Sequence, residues 1–374
     1  MSEIKILKGS ILVLSVFDVG GEISLAKAER HLSEDSKSSR FRLTTDLRKA
    51  IIIREAPLTL SLGDEDIPVR GQKFRTDISA KIWDYGVISV TIQLPIPVGT
   101  SWSELVLLAA EIEASQEIDE IAFAEKESLK KKIMPAIKNP ADWDTFEDYF
   151  TYFIEKLDGV EKPADLLSRA DVPGLILAET VDKLSENSRR QITENALQYG
   201  ENDLAVIDWD SALLVEPDGQ KDVAEVIEFS LTHLLEMRYY DNLLEEKLSA
   251  LYDSLESRSR RGILSNFYSR MAEDASSRYI EFSEFLGRVE NSLKTVGDPY
   301  LATIFRQAGK EFRFDDWRKS VARKMETLAR ISELLQGEIN ARRDQLLEII
   351  IILLIALELG PAIKGIAEFL RHWK

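Results

Sequence analysis

Nine consecutive apolar residues, 349–357 in the stretch EIIIILLIALELGP, interrupt a long polar helical pattern near the end of this sequence. A helix that is apolar around its whole circumference must be covered by a bilayer, by a partner or by the rest of its own chain. A membrane span takes about 20 mostly apolar residues. Positions 346–363 come close, with Glu348 and Glu358 toward the ends and Gly360 and Pro361 weakening the helix. Arg342 and Arg343 on one side, and Lys364, Arg371, Trp373 and Lys374 on the other, have the character of interfacial anchors. The segment is therefore expected to be a transmembrane helix, an interfacial helix or the apolar end of an oligomeric coiled coil.

What precedes the run narrows the choice of architecture. From about residue 221 the texture is that of long helices. Val223, Ile227, Leu231, Leu234, Leu244, Leu248, Leu251 and Leu255 recur mostly at three or four residues, on a helix of roughly 35 residues. A second helix is predicted near 275–296 on Phe282, Phe285, Val289 and Leu293, broken by Gly297 and Pro299. A third starts at Asp315 or Asp316 and carries Val321, Met325, Leu328, Leu335, Ile339, Leu346 and Ile349 at a/d spacing, with Ser332 and Arg342 on the same seam. Such a seam, kept for about four heptads, predicts coiled-coil packing, either as a hairpin within the chain or with a second copy.

Residues 1–220 read as α+β. Short β-branched runs at 11–17, 50–54, 58–62 and 77–94 predict strands. In the last run Ile82, Ile88, Val90, Ile92 and Leu94 share one face, Trp83, Tyr85, Val87 and Thr91 the other, and Gly86 marks a bulge or close approach. Pro95 and Pro97 end it, and Thr100 or Ser101 caps a helix with Leu105, Leu108 and Ile112 on its apolar side. Phe146, Tyr149, Phe150 and Phe153 in DWDTFEDYFTYFIEKL stand at helical spacing. The stretch DLAVIDWDSALLVEP reads as a strand pair or one bulged strand. This order predicts a ferredoxin-like head with insertions (1–220), a helical hairpin or coiled-coil stalk (221–345) and a hydrophobic C-terminal segment (346–374).

Composition excludes several chemistries. A net charge of −17 disfavours general nucleic-acid binding, and the short basic clusters at 130–132 and 258–261 are read as solvated surfaces. The sequence has no cysteine, so disulfides, thiol nucleophiles and cysteine-ligated metals are excluded. The apolar run after Lys5 and Lys8 is short, ends at Asp18 and lacks a cleavage pattern, which marks a first strand rather than a signal peptide. Gly20 and Gly21 lack the third glycine and the lysine of a phosphate loop. No cofactor is expected.

The one constellation with enzymatic character is Asp208-Trp209-Asp210. Strand alternation would set the two carboxylates on one face roughly 7 Å apart, with Trp209 turned to the core. Such a pair, with Asp203, Glu216 and Asp218 nearby, is able to hold magnesium or share acid/base work, although two aspartates on a solvent face are unremarkable in so acidic a chain. His31, His233 and His372 match no metal spacing. Arg238, Tyr239, Tyr240 and Asp241 form a polar-aromatic cluster that reads as a helix–sheet contact or a docking surface.

The phrases LEIIIILLIALE at 347–358, DYGVISVTI from Asp84 and EMRYYDNLLEEKL from Glu236 together resemble the YagE-type family named for "required for meiotic nuclear division", with Ile349 where that family carries a tryptophan. The resemblance implies an α+β domain, a helical hairpin and a hydrophobic tail, in proteins whose eukaryotic members sit in the mitochondrial inner membrane and support translation there. It supplies no catalytic residues. The expectation is a non-enzymatic scaffold or tether with its head in the cytoplasm. It is attached through Leu347, Glu348, Ile349, Ile350, Ile351, Ile352, Leu353, Leu354, Ile355, Leu357 and Glu358, and it engages an unknown protein partner. A soluble, cytoplasmic homo-dimer or larger oligomer, and a magnesium enzyme centred on Asp208 and Asp210, are the alternatives.

Overall fold

The computed structural model describes residues 3–32, 38–40, 56–69, 71–141, 143, 145–180, 184–257 and 298–372, with positions 273, 277, 280, 282–284 and 287 between them. The strand expected at 50–54, most of the helix expected at 275–296, the basic cluster at 258–261, Trp373 and Lys374 lie outside the described residues. The strands are β1 (Lys5–Asp18), β2 (Ser38–Arg40), β3 (Leu58–Val69), β4 (Gln72–Ile82), β5 (Val87–Pro95), β6 (Thr100–Ser101), β7 (Phe146–Asp158), β8 (Ala196–Leu197), β9 (Leu204–Ile207) and β10 (Ser211–Val215). The helices are α1 (Leu25–Leu32), α2 (Trp102–Glu113), α3 (Gln116–Ile133), α4 (Leu166–Arg169), α5 (Val172–Ile176), α6 (Glu186–Glu194), α7 (Asp222–Ser257), α8 (Pro299–Glu311) and α9 (Phe314–His372).

All ten strands join one mixed sheet in the order β2-β3-β4-β5-β1-β7-β10-β9-β8, with β6 pairing the start of β1. Strand β1 is central because both of its faces are apolar: Ile11, Val13 and Phe17 point one way and Leu12, Leu14 and Val16 the other, all buried. It runs antiparallel to both neighbours, Val13 lying opposite Ile92 of β5 and Phe150 of β7. β10 then adds in parallel to β7, with Leu213 opposite Tyr152. On one face the core gathers Ile11, Val90 and Ile154 with Leu105 and Ile112 of α2 and Ile118 and Leu129 of α3. Against the other lie the first half of α7 and α8, through Trp83 with Phe229 (5.7 Å between ring centroids) and Tyr149 with Phe312 (5.6 Å).

This architecture corrects the ferredoxin-like expectation. The largest single difference is residues 146–158, which form a central strand and not a helix. Their aromatic residues satisfy a helical spacing, yet the unbroken bulky run Tyr149, Phe150, Thr151, Tyr152, Phe153 and Ile154 is buried on both faces, as an inner strand requires. The run at 77–94 is two strands and a turn. Trp83 N donates to Val87 O (2.9 Å) and Gly86 N to Trp83 O (3.3 Å). Gly86 sits at φ +96°, where a Cβ would lie 2.1 Å from the carbonyl oxygens of Gly20 and Gly21, so a side chain is excluded by backbone on both counts. The expected helix cap is present: Ser101 and Glu104 form a capping box on α2.

The chain divides into two compact units, residues 1–240 with 285–318 and residues 241–284 with 319–374. The first holds the sheet. In the second, Leu244, Leu248, Phe282, Val321, Met325 and Leu328 are buried, and Lys324 bridges Asp241 (3.0 Å) and Glu245 (2.8 Å). The heptad pattern does not become a coiled coil. Of the seam side chains described, Val321, Met325 and Leu328 are buried and Ile349 is exposed, as are Leu334 and the rest of the apolar run. Nor is there a separate hydrophobic C-terminal helix, since the apolar residues continue a helix of 59 residues. A helix at Pro299–Glu311, capped by Asp298, stands where the sequence reading saw only a break.

Candidate functional site

Two features of these units have the character of sites, and each is described within its own unit. In the second unit, Leu347, Ile349, Ile350, Ile351, Ile352, Leu353, Leu354, Ile355 and Leu357 are all between 49% and 74% exposed on α9. A helix turns a full circle in 3.6 residues, so consecutive exposed positions leave no face of this run packed. Covering nine such side chains is worth on the order of 10 kcal/mol. Glu348 is exposed beside them, and Glu358 lies on the same helix. Among the described residues no helix is long and apolar enough to cross a membrane, which removes the transmembrane helix expected from the sequence.

In the first unit, Asp208 and Asp210 do not sit on a strand face. They occupy the turn between β9 and β10, closed by Asp208 N donating to Ser211 O (2.9 Å). Trp209, expected in the core, is exposed. The buried Tyr149 hydroxyl donates to the carbonyls of Asp208 (3.1 Å) and Ser211 (2.8 Å), fixing the turn. Burial raises the Asp208 and Asp210 carboxyls above the usual range, and Asp208 raises Asp210 further. Among the described residues no group of three or more His, Cys, Asp or Glu side chains is placed to hold a metal ion. His233 is buried, its Nδ1 2.7 Å from Phe229 O and its ring edge-on to Phe229, Phe305 and Tyr85. Arg238 pairs with Glu147 of β7 and lies over Trp317, while Tyr239 meets Trp143 edge-on, so both make contacts inside the sheet-bearing unit.

Asp203, Glu216 and Asp218, read from sequence as neighbours of Asp208, lie at the opposite, open end of the β9–β10 hairpin. There they line a cleft of about 740 Å³ together with the end of β7, the start of α7 and the start of α8. Four of its carboxylates have partners. Glu155 pairs with Lys8, Glu201 with Lys162 (2.8 Å), Asp203 accepts from the backbone of Tyr199 and Gly200 (2.6 Å each), and Asp298 caps α8 by accepting from Tyr300 N (2.7 Å). Two stand apart. Glu216 is pushed up to about 7 by burial and then by Asp203, Asp218 and Asp222. Asp222 is pushed up to about 6 by burial and then by Asp298. The Asp222 Oδ2 and the Tyr300 hydroxyl are buried with no hydrogen-bond partner. The sequence reading missed this cleft because Asp222, Asp298 and Tyr300 come from distant segments; the one local signal was the acidic run 216–222 at a strand end.

Comparison with known proteins places the sheet-bearing unit. Residues 8–222 match the family described as "Uncharacterized protein MJ0711, N-terminal domain". A relative, Uncharacterized protein MJ0711 of Methanocaldococcus jannaschii, is 23% identical over 192 residues, which cover 51% of this chain and 58% of the relative. The chain thus aligns with little more than half of that relative's length. No solved structure matches. The match replaces the resemblance to the YagE-type family, whose Ile-rich signature lies outside the matched residues. With more than half of its length matched, from β1 to the first residue of α7, the chain belongs to the MJ0711 N-terminal domain family.

Proposed function

We propose that this protein is a membrane-attached scaffold or tether, held to lipid by the apolar run of α9 while the sheet-bearing unit is available to other molecules. The observation that supports the reading is the exposure of consecutive apolar side chains on every side of one helix. A partner helix covers one face, and an interfacial helix keeps a polar face in water; hydrocarbon covers all sides at once. Nine helical residues advance about 14 Å, roughly half of a hydrocarbon core about 30 Å thick, so the attachment proposed here is insertion into one leaflet. A net charge of −17 opposes adsorption to anionic lipid, which makes apolar burial the driving force.

The test is flotation of the full chain with neutral phosphatidylcholine vesicles. The chain is expected to float, with little dependence on salt. The double variant Ile352→Asp, Ile355→Asp should partition at least about 100-fold less, because each buried carboxylate costs about 3 kcal/mol in the bilayer. A parent chain that stays at the bottom as an oligomer, dispersed to monomer by the same substitutions, would assign the run to a second copy instead.

A further inference from the structure

We infer that the acidic cleft of the sheet-bearing unit is a binding site for an organic amine cation of the diamine or oligoamine class. The cleft, about 740 Å³, is far larger than a bare ion needs and of the size that small organic ligands occupy. Its charge is unbalanced. Glu155 and Glu201 have lysine partners and Asp203 and Asp298 have backbone donors, but no hydrogen bond or ion pair reaches the side chains of Glu216 or Asp222 among the described residues.

Asp222 gives the second and independent argument. It is 9% exposed, lines the cleft, and its Oδ2 is buried without a donor. The hydroxyl of Tyr300, in the same wall, is in the same condition. Leaving a buried polar atom unpaired is costly, so two in one cavity mark a place where a ligand supplies what the protein does not. A carboxylate needs a donor and gains most from a charged one, and an ammonium group brings three N–H donors with its positive charge. The aromatic wall fits the same ligand. Tyr199, 64% exposed, lies 5.3 Å from Tyr300 between ring centroids, and a tyrosine face at a cleft attracts a cation. A metal ion fits less well, since no three carboxylates among the described residues converge on a point. Amine groups joined by methylene linkers reach carboxylates that are spread along a cavity.

The experiment is calorimetric titration of the full chain with spermidine, at low salt and about pH 8, with magnesium and a lysine tetrapeptide as comparison probes. Saturable binding of spermidine is expected. Asp222→Asn and Glu216→Gln should each weaken it about ten-fold or more, since a charge-assisted hydrogen bond is worth about 1.5–3 kcal/mol. Glu117→Gln, an exposed carboxylate outside the cleft, should leave it unchanged. Tyr300→Phe removes one oxygen and should weaken binding without disturbing the fold. Affinity should also fall as the pH drops through about 7, where Glu216, facing Asp203, Asp218, Asp222 and Tyr300, takes up a proton. Absence of saturation, or equal losses in Asp222→Asn and Glu117→Gln, would reduce the effect to general attraction by an acidic protein and overturn the assignment. Magnesium that displaces spermidine from the same carboxylates would reassign the cleft to a metal, and tight tetrapeptide binding that spermidine does not displace would reassign it to a protein partner.

Discussion

Lys81→Met is expected to destabilise the sheet-bearing unit by about 3–5 kcal/mol, the usual loss when one partner of a buried ion pair is removed. Lys81 lies on β4, on the face that meets α7, and is buried. Its ammonium group contacts Glu225 and reaches Glu228 at 2.6 Å. The same glutamate accepts from Ser89 (2.5 Å), whose hydroxyl accepts in turn from the Trp83 indole (3.2 Å). Burial pulls the lysine down, and Glu228 and Glu225 together hold it above its ordinary value. Burial likewise pushes Glu225 up to about 7, against the attraction of Lys81. One ammonium cannot balance two buried carboxylates, so a proton is retained in the cluster near neutrality. Methionine fills much the same volume and leaves both carboxyls without their cation. The triple variant Lys81→Met, Glu225→Gln, Glu228→Gln removes the uncompensated charge and should recover most of the loss. Denaturant unfolding followed by far-ultraviolet circular dichroism reads both changes. A single variant as stable as the parent would show that the cluster contributes nothing net.

Acidification from about pH 8 to about pH 5.5 is expected to raise the melting temperature by several degrees, the reverse of ordinary acid sensitivity. Burial pushes the carboxyls of Asp18, Glu113, Glu147 and Glu225 each up to about 7. In the unfolded chain such groups titrate near 4. Between about pH 4.5 and 7 the folded state therefore holds protons that the unfolded state has lost, and its stability falls as the pH rises through that window. Above about pH 7 both states are ionised and the dependence flattens. Glu113→Gln keeps an acceptor for the Tyr152 hydroxyl, 3.1 Å from the native carboxylate, and should flatten the slope without large loss at acid pH. Melting curves that move downward between pH 8 and about 5.5 would contradict the inverted proton balance.

Much of this fold is written locally, and the rest arises from distant contacts. The β-branched run at 11–17, the capping box at Ser101, the length of α7, 36 residues, and the hairpin at 204–215 follow from short-range chemistry that the sequence displays. Strand β7 does not. A run of bulky residues buried on both faces satisfies helix and strand periods alike, and only its place between β1 and β10 decides. The seam after Val321 misled for a related reason: regular spacing of apolar residues states what a helix is able to bury, not what covers it. At the candidate sites the contrast is similar. The apolar run is visible in one line of sequence. The cleft is assembled from four separated segments, and its least satisfied carboxylate, Asp222, looks in sequence like an ordinary acidic residue at a helix start.

The attachment claim is tested most directly at Ile352, in the middle of the run. The chain has no cysteine, so Ile352→Cys carries a single nitroxide label without further changes. Its collision rates with oxygen, which concentrates in hydrocarbon, and with a water-soluble nickel chelate report its surroundings by spin resonance. Adding neutral vesicles is expected to raise the oxygen rate and suppress the nickel rate at position 352, while a label at Glu117→Cys on the sheet-bearing unit changes little. Equal nickel access at position 352 with and without vesicles would place the run in water or against protein, and would contradict attachment through this helix.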